Sequence, residues 1–216
     1  MARAVLFDMD GVLAFTEQFY NQRRANYLIR HGFDLDAPPD FSGSNDEAIW
    51  KELVPDDPRR RELLHRGYRE YSAEHPTPWR KVANPFVRCT MWRLRRNGIR
   101  IAICSSSSRD LIDDFLEQLD LADAVDLAIS GHDCSAFKPS PEIYLRAMEH
   151  LGVVPSESLV VEGSPIGIEA GNASGALVCA LRPPAGVALD QSRADVVVDE
   201  LIDVVDLAKS LPTARQ

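Results

Sequence analysis

Six short apolar runs spaced along the chain constrain its fold more than any other feature. They are Ala-Val-Leu-Phe at 4–7, Ile-Arg-Ile-Ala-Ile-Cys at 99–104 and Asp-Leu-Ala-Ile-Ser at 126–130, followed by Ser-Leu-Val-Val-Glu at 158–162, Ala-Leu-Val-Cys-Ala-Leu at 176–181 and Asp-Val-Val-Val at 195–198. Most are nearly continuous rather than alternating, the pattern of strands buried on both faces of a parallel sheet. Helix signals fill the intervals from residue 84 onward. Asn84-Pro85 reads as N-cap and N1, Ser107 with Asp110 three later resembles a capping box, and Ser140-Pro141 starts another helix. The βαβ-like alternation predicts an α/β fold with a doubly wound, Rossmann-like parallel-sheet core.

One interval breaks the rhythm. Between the first two runs no convincing strand occurs, and helices are predicted over 17–31 (closed by Gly32), 44–53 and 57–74, with proline breaks at 38–39, 55–58 and 76–78. The expected organisation is a core of residues 1–14 and 84–216 and an inserted α-helical cap of residues 15–83. Ligands of open parallel sheets sit beyond the carboxyl ends of the strands, so the insertion is expected to act as a lid.

Composition narrows the partners. With 24 basic and 33 acidic residues the net charge is −9, which argues against a general nucleic-acid or anionic-membrane binder. No apolar run approaches the ~18 residues of a membrane span, and Asp8 and Asp10 come too early for a signal peptide. A cytoplasmic protein is expected. Cys89, Cys104, Cys134 and Cys179 are scattered without a CxxC, so free thiols are expected, and the five histidines lack ligand spacing.

The strand ends carry the chemistry. Asp8 and Asp10 flank Met9 after the first run, where two carboxylates on one side of an extended chain repel unless a cation offsets them. Ser105 follows the second run, Lys138 the third, and Glu162 ends the fourth. Converging on one crevice, the acids could hold a hard, oxygen-loving cation such as Mg²⁺. The serine run would cradle a phosphate at a helix N-terminus, and Lys138 would supply a point charge. Together these are the parts of a phosphoryl-transfer site.

Four segments, Phe-Asp-Met-Asp-Gly-Val-Leu (7–13), Ile-Cys-Ser-Ser-Ser-Ser-Arg (103–109), Phe-Lys-Pro-Ser-Pro-Glu-Ile-Tyr (137–144) and the stretch from Val160 to Ala176, resemble the motifs of the haloacid dehalogenase (HAD) superfamily in order and placement. They are similar in particular to its β-phosphoglucomutase-like phosphatases with a helical cap. The resemblance implies that Asp8 is a nucleophile forming an aspartyl-phosphate and that Asp10 is the general acid and base. It implies phosphate binding by Ser105, Ser106 and Lys138, with Ser105 and Lys138 counted among the catalytic residues, and Mg²⁺ binding by Asp8, Asp10 and Glu162. The implied partner is a small phosphorylated metabolite, plausibly a sugar phosphate, acted on by a monomer or weak homodimer.

Departures from the resemblance shape the expected activity. Gly163 replaces the acid usual after Glu162, Phe15 replaces another acid, and Phe86 and Phe137 occupy positions where small glycines are usual. In the cap, Tyr20 stands where the mutase has a histidine. Asp46, after Gly43, stands where the mutase has a phosphate-binding arginine. An acid there opposes a second phosphate, which favours a phosphatase over a mutase. A degraded, phosphate-binding protein is the reading that Gly163 motivates. Arg59, Arg66 and Arg69 read either as contacts for an anionic substrate or as a solvated helix face.

Overall fold

Each of the six apolar runs forms a strand. In the computed structural model, which describes residues 1–41, 44 and 46–211, these are β1 (Ala4–Phe7), β2 (Arg100–Ser105), β3 (Leu127–Ser130), β4 (Ser158–Glu162), β5 (Leu177–Leu181) and β6 (Val196–Val198). They join in one parallel sheet of order β3-β2-β1-β4-β5-β6. The helices are α1 (Glu17–Arg30), α2 (Asp46–Leu53), α3 (Pro58–Glu74), α4 (Trp79–Val82), α5 (Val87–Arg96), α6 (Arg109–Gln118), α7 (Glu142–Leu151), α8 (Pro165–Ala173) and α9 (Val204–Ser210).

The period of two along each strand sorts the core into two layers. Val5, Phe7, Ile101, Ile103, Leu159 and Val161 face the layer built by α5, α6 and α9, through side chains such as Met91, Phe115 and Val204. Ala4, Leu6, Ala102, Cys104, Val160 and Val178 face the opposite layer, where α7 and α8 supply Tyr144, Met148 and Ile168. Strand order reverses at β1, which pairs with β2 on one side and β4 on the other. Such a switch point opens a crevice at the strands' carboxyl ends.

The described chain divides into two compact units: Met1–Phe15 with the chain from Trp79 onward, and Thr16–Pro78. Helix α4 goes with the sheet because Trp79 is fully buried there, its indole N–H donating to Asp114 Oδ2 at 2.7 Å and its ring edge-on to Phe115. The second unit is a bundle of α1, α2 and α3 around Tyr27, Leu28, Trp50, Leu64 and Tyr68. Gly43 lies outside the described residues.

Predicted helix starts shift at α5 and α6 for local reasons. Helix α5 begins at Val87 rather than Pro85, because Asn84 Oδ1 accepts from the Phe86 N–H at 3.0 Å while its amide donates to the Val12 carbonyl at 3.1 Å. Helix α6 takes Ser108 as N-cap, and Ser107 is not its cap. No described helix is long and apolar enough to cross a membrane. All four cysteines are free thiols, Cys104 and Cys179 buried and Cys89 exposed.

Candidate active site

Local geometry explains the spacing of the first two acids. Beyond β1, Met9 is fully buried in the core, while Asp8 on one side of it meets Lys138 and Asp10 on the other meets Ser107. The Asp8 N–H is held by the Val161 carbonyl at 2.9 Å. The chain then reverses at once: the N–H groups of Leu13 and Ala14 donate to the Met9 carbonyl at 2.9 and 3.0 Å, and Gly11 donates to Ala14. Gly11 takes φ +82° in this turn, a conformation that favours glycine.

Register brings the other strand ends alongside. Phe7 pairs with Ile103 and with Val161, so Asp8 emerges beside Cys104, Ser105 and Glu162. Lys138 arrives on the loop after β3, a segment pinned by Glu142, whose carboxylate accepts from the Ser135 N–H at 2.9 Å. Its ammonium uses all three protons: Asp8 Oδ1 at 2.7 Å, Glu162 Oε1 at 2.7 Å and the Cys104 carbonyl at 2.9 Å. The Tyr144 ring lies 5.1 Å below it. Phe137 packs on Gly131; a Cβ at Gly131 would stand 2.8 Å from the ring.

Glu162 is wholly buried and engaged on both oxygens. Oε1 accepts from Lys138 and from the Tyr144 hydroxyl at 2.5 Å, while Oε2 accepts from the Gly163 N–H at 3.0 Å and the Ser164 N–H at 3.4 Å. Protein donors thus reach both oxygens of the carboxylate expected from sequence to bind a cation, and Lys138 is one of them. Tyr144 was not foreseen in that role; an aromatic in an amphipathic helix reads as plain core.

Electrostatics follow from burial. Burial, then the charge of Glu162, push the Asp8 carboxyl up to about 8, with Lys138 pulling the other way. Burial would lower the Lys138 ammonium, but Asp8 and Glu162 outweigh it and raise it. Burial, then Glu162, also raise the Tyr144 phenol well above its usual range.

The serine run closes the other side. Ser105 is buried, its Oγ accepting from the Ser107 N–H at 3.0 Å; Ser106 is half-buried at the start of the loop. Ser107 donates its hydroxyl to Asp10 Oδ2 at 2.7 Å. The structure thus gathers Asp8, Glu162 and Lys138 in one cluster and joins Asp10 to the serine loop. In the helical unit, Tyr20 lies under the Arg23 guanidinium at 5.0 Å, and Asp46 pairs with His65 Nε2 at 2.6 Å. Arg59, Arg66 and Arg69 are exposed on α3.

Among the described residues no group of three or more His, Cys, Asp or Glu is arranged to hold a metal. With Glu162 engaged and Gly163 lacking a side chain, the groups left for a cation are the Asp8 carboxylate and the Asp10 backbone carbonyl. That set still fits Mg²⁺, which keeps several waters and binds through one or two carboxylates plus substrate phosphate. Burial raises the Asp8 carboxyl and Glu162 adds to the shift, and a bound cation would act in the opposite sense by favouring the charged form.

The family model for haloacid dehalogenase-like hydrolases matches residues 2–175. A phosphorylated carbohydrates phosphatase from Thermotoga maritima is 28% identical over 80% of this chain and 81% of its own length. A phosphoglycolate phosphatase from Aquifex aeolicus is 27% identical over 80% of this chain and 81% of its own. Among solved structures, a HAD family hydrolase from Deinococcus radiodurans with bound phosphate and sodium superposes with a TM-score of 0.73, at 25% identity and 99% coverage of both chains.

Proposed function

This chain belongs to the haloacid dehalogenase-like hydrolases, and we propose that it is a Mg²⁺-dependent phosphatase that hydrolyses a small phosphomonoester through an aspartyl-phosphate. The observation that carries this reading is Lys138 bound to Asp8 and Glu162 at 2.7 Å each, at the switch point of the sheet. A buried, positively charged donor against an otherwise strongly desolvated carboxylate suits a nucleophile that must meet an anionic phosphoryl group. The names of the relatives support it, since two are phosphatases of small phosphorylated compounds.

In this reading Asp8 attacks phosphorus in line while the ester oxygen departs, taking a proton from Asp10. Asp10, now a carboxylate, removes a proton from water as the water attacks phosphorus, which frees Asp8 and inorganic phosphate. Lys138 and the Ser105–Ser106 loop hold phosphoryl oxygens. Mg²⁺, held by the Asp8 carboxylate and the Asp10 backbone carbonyl, would neutralise charge on the transferring group. Residues 16–78 act as a cap that selects the leaving group, and the acid at Asp46 opposes a second phosphate. That favours hydrolysis of a sugar phosphate or similar ester over mutase transfer.

The test is a panel of phosphorylated metabolites, with an aryl phosphate included, assayed for inorganic phosphate in the presence of Mg²⁺. Release of phosphate from one or more esters is expected. Binding of phosphate compounds with no turnover of any of them would overturn the reading in favour of a phosphate-binding protein.

A further inference from the structure

Four consecutive serines, Ser105 to Ser108, follow β2. Phosphate binding accounts for the first two and the start of α6 for the last, leaving Ser107 without a part. Its hydroxyl is 2.7 Å from Asp10 Oδ2. The backbone of Ser107 is itself held by two side chains. Its N–H donates to Ser105 Oγ at 3.0 Å, and its carbonyl accepts from Ser130 Oγ at 2.7 Å. Ser130 is fully buried at the end of β3, and its own N–H donates to Asp133 Oδ2 at 3.2 Å while its Oγ accepts from the His132 N–H at 3.1 Å.

We propose that Ser107 is the positioning residue for Asp10, and that Ser130 is the anchor that sets Ser107. The inference rests on the phosphatase reading, in which Asp10 gives its proton to the departing ester oxygen. A carboxyl group can carry that proton on either oxygen. Donation from Ser107 to Oδ2 favours the proton on Oδ1, and it fixes the carboxyl plane. Small misplacements of a proton donor cost rate steeply. A hydroxyl on a loop whose own backbone is fixed from β2 and β3 gives that orientation.

The experiment compares kcat/KM, which reads the step that forms the phosphoenzyme, for two esters of different leaving-group demand. Glycerol 2-phosphate expels an alkoxide that needs the proton; 4-nitrophenyl phosphate expels a phenolate that does not. In Ser107→Ala the ratio of the two should shift by ~10-fold toward the aryl ester, a fraction of the ~10²–10⁴ that general acid catalysis contributes. Ser107→Thr, which keeps the hydroxyl, should restore the wild-type ratio, and Ser130→Ala should shift it in the same direction by less. Equal losses on both esters, an unchanged ratio, or a folded Ser107→Thr that behaves as the alanine variant would overturn the inference alone. Wild-type turnover of no ester in the metabolite panel would overturn the phosphatase reading and this inference with it.

Discussion

Tyr144 donates its hydroxyl to Glu162 Oε1 at 2.5 Å, on the oxygen that also accepts from Lys138. Both side chains are fully buried, so neither can replace the bond with water. Tyr144→Phe keeps the ring beneath the ammonium and removes one donor from a buried carboxylate. A loss of ~1.5–3 kcal/mol is expected, the range for hydrogen bonds to charged groups, read by urea denaturation. Activity should fall less than ~10-fold, because Lys138 keeps its bond to Asp8.

Lys138→Met should be far more severe. It leaves Asp8 and Glu162 buried with their shared cation gone, a change that costs ~3–5 kcal/mol when one partner of a buried pair is removed. Loss of the cation facing the phosphoryl group should lower kcat by ~10²–10³. Denaturation curves and steady-state kinetics on the same preparation check both effects. Near wild-type kcat would remove Lys138 from the mechanism.

Asp8→Asn and Asp10→Asn should separate the two acids. An amide at position 8 cannot attack phosphorus, so no phosphoenzyme should form; an amide at position 10 leaves the nucleophile and removes the proton relay, at a cost of ~10²–10⁴ in rate. Trapping with radiolabelled substrate under acid quench reads the yield of each. Equal yields from wild type and Asp8→Asn would refute the assignment.

Gly163→Asp tests the reduced cation set. A Cβ at Gly163 would stand 3.3 Å from the Gly11 carbonyl oxygen and 3.5 Å from Val12 Cγ2, so a side chain fits with a shift of a few tenths of an ångström. The added carboxylate should lower the Mg²⁺ concentration for half-maximal activity by about tenfold, since affinity follows ligand charge count. A Mg²⁺ titration of both forms decides it. An unchanged midpoint would mean that position 163 does not face the cation.

Gly167→Ala should disable the cluster from behind. A Cβ there would overlap the Glu162 carboxyl carbon and Oε1, which forces the carboxylate off its bonds to Lys138 and Tyr144. Overpacking of this kind costs ~1–3 kcal/mol, and kcat should drop together with the melting temperature. A variant as stable and active as wild type would show that Glu162 has room to move.

Local sequence determined the strands and the side on which their polar ends appear. Apolar continuity sets burial on both faces, and each run ends in the polar residue that faces the crevice: Asp8 after β1, Ser105 in β2 and Glu162 in β4. The helices of residues 17–74 were legible for the same reason, since their spacing and proline breaks are local. Which hydroxyl meets which acid was not legible. Four adjacent serines are alike in sequence, and only the pairing of β2 with β1 and β3 decides that Ser107 reaches Asp10 while Ser130 holds Ser107. Glu162 looks like a cation ligand from its place at a strand end. It becomes the partner of Lys138 because α7 brings Tyr144, and the loop after β3 brings the lysine, to the same oxygen. A carboxylate takes whichever donors the folded chain delivers, and residues 138, 144 and 162 meet only once the sheet has formed.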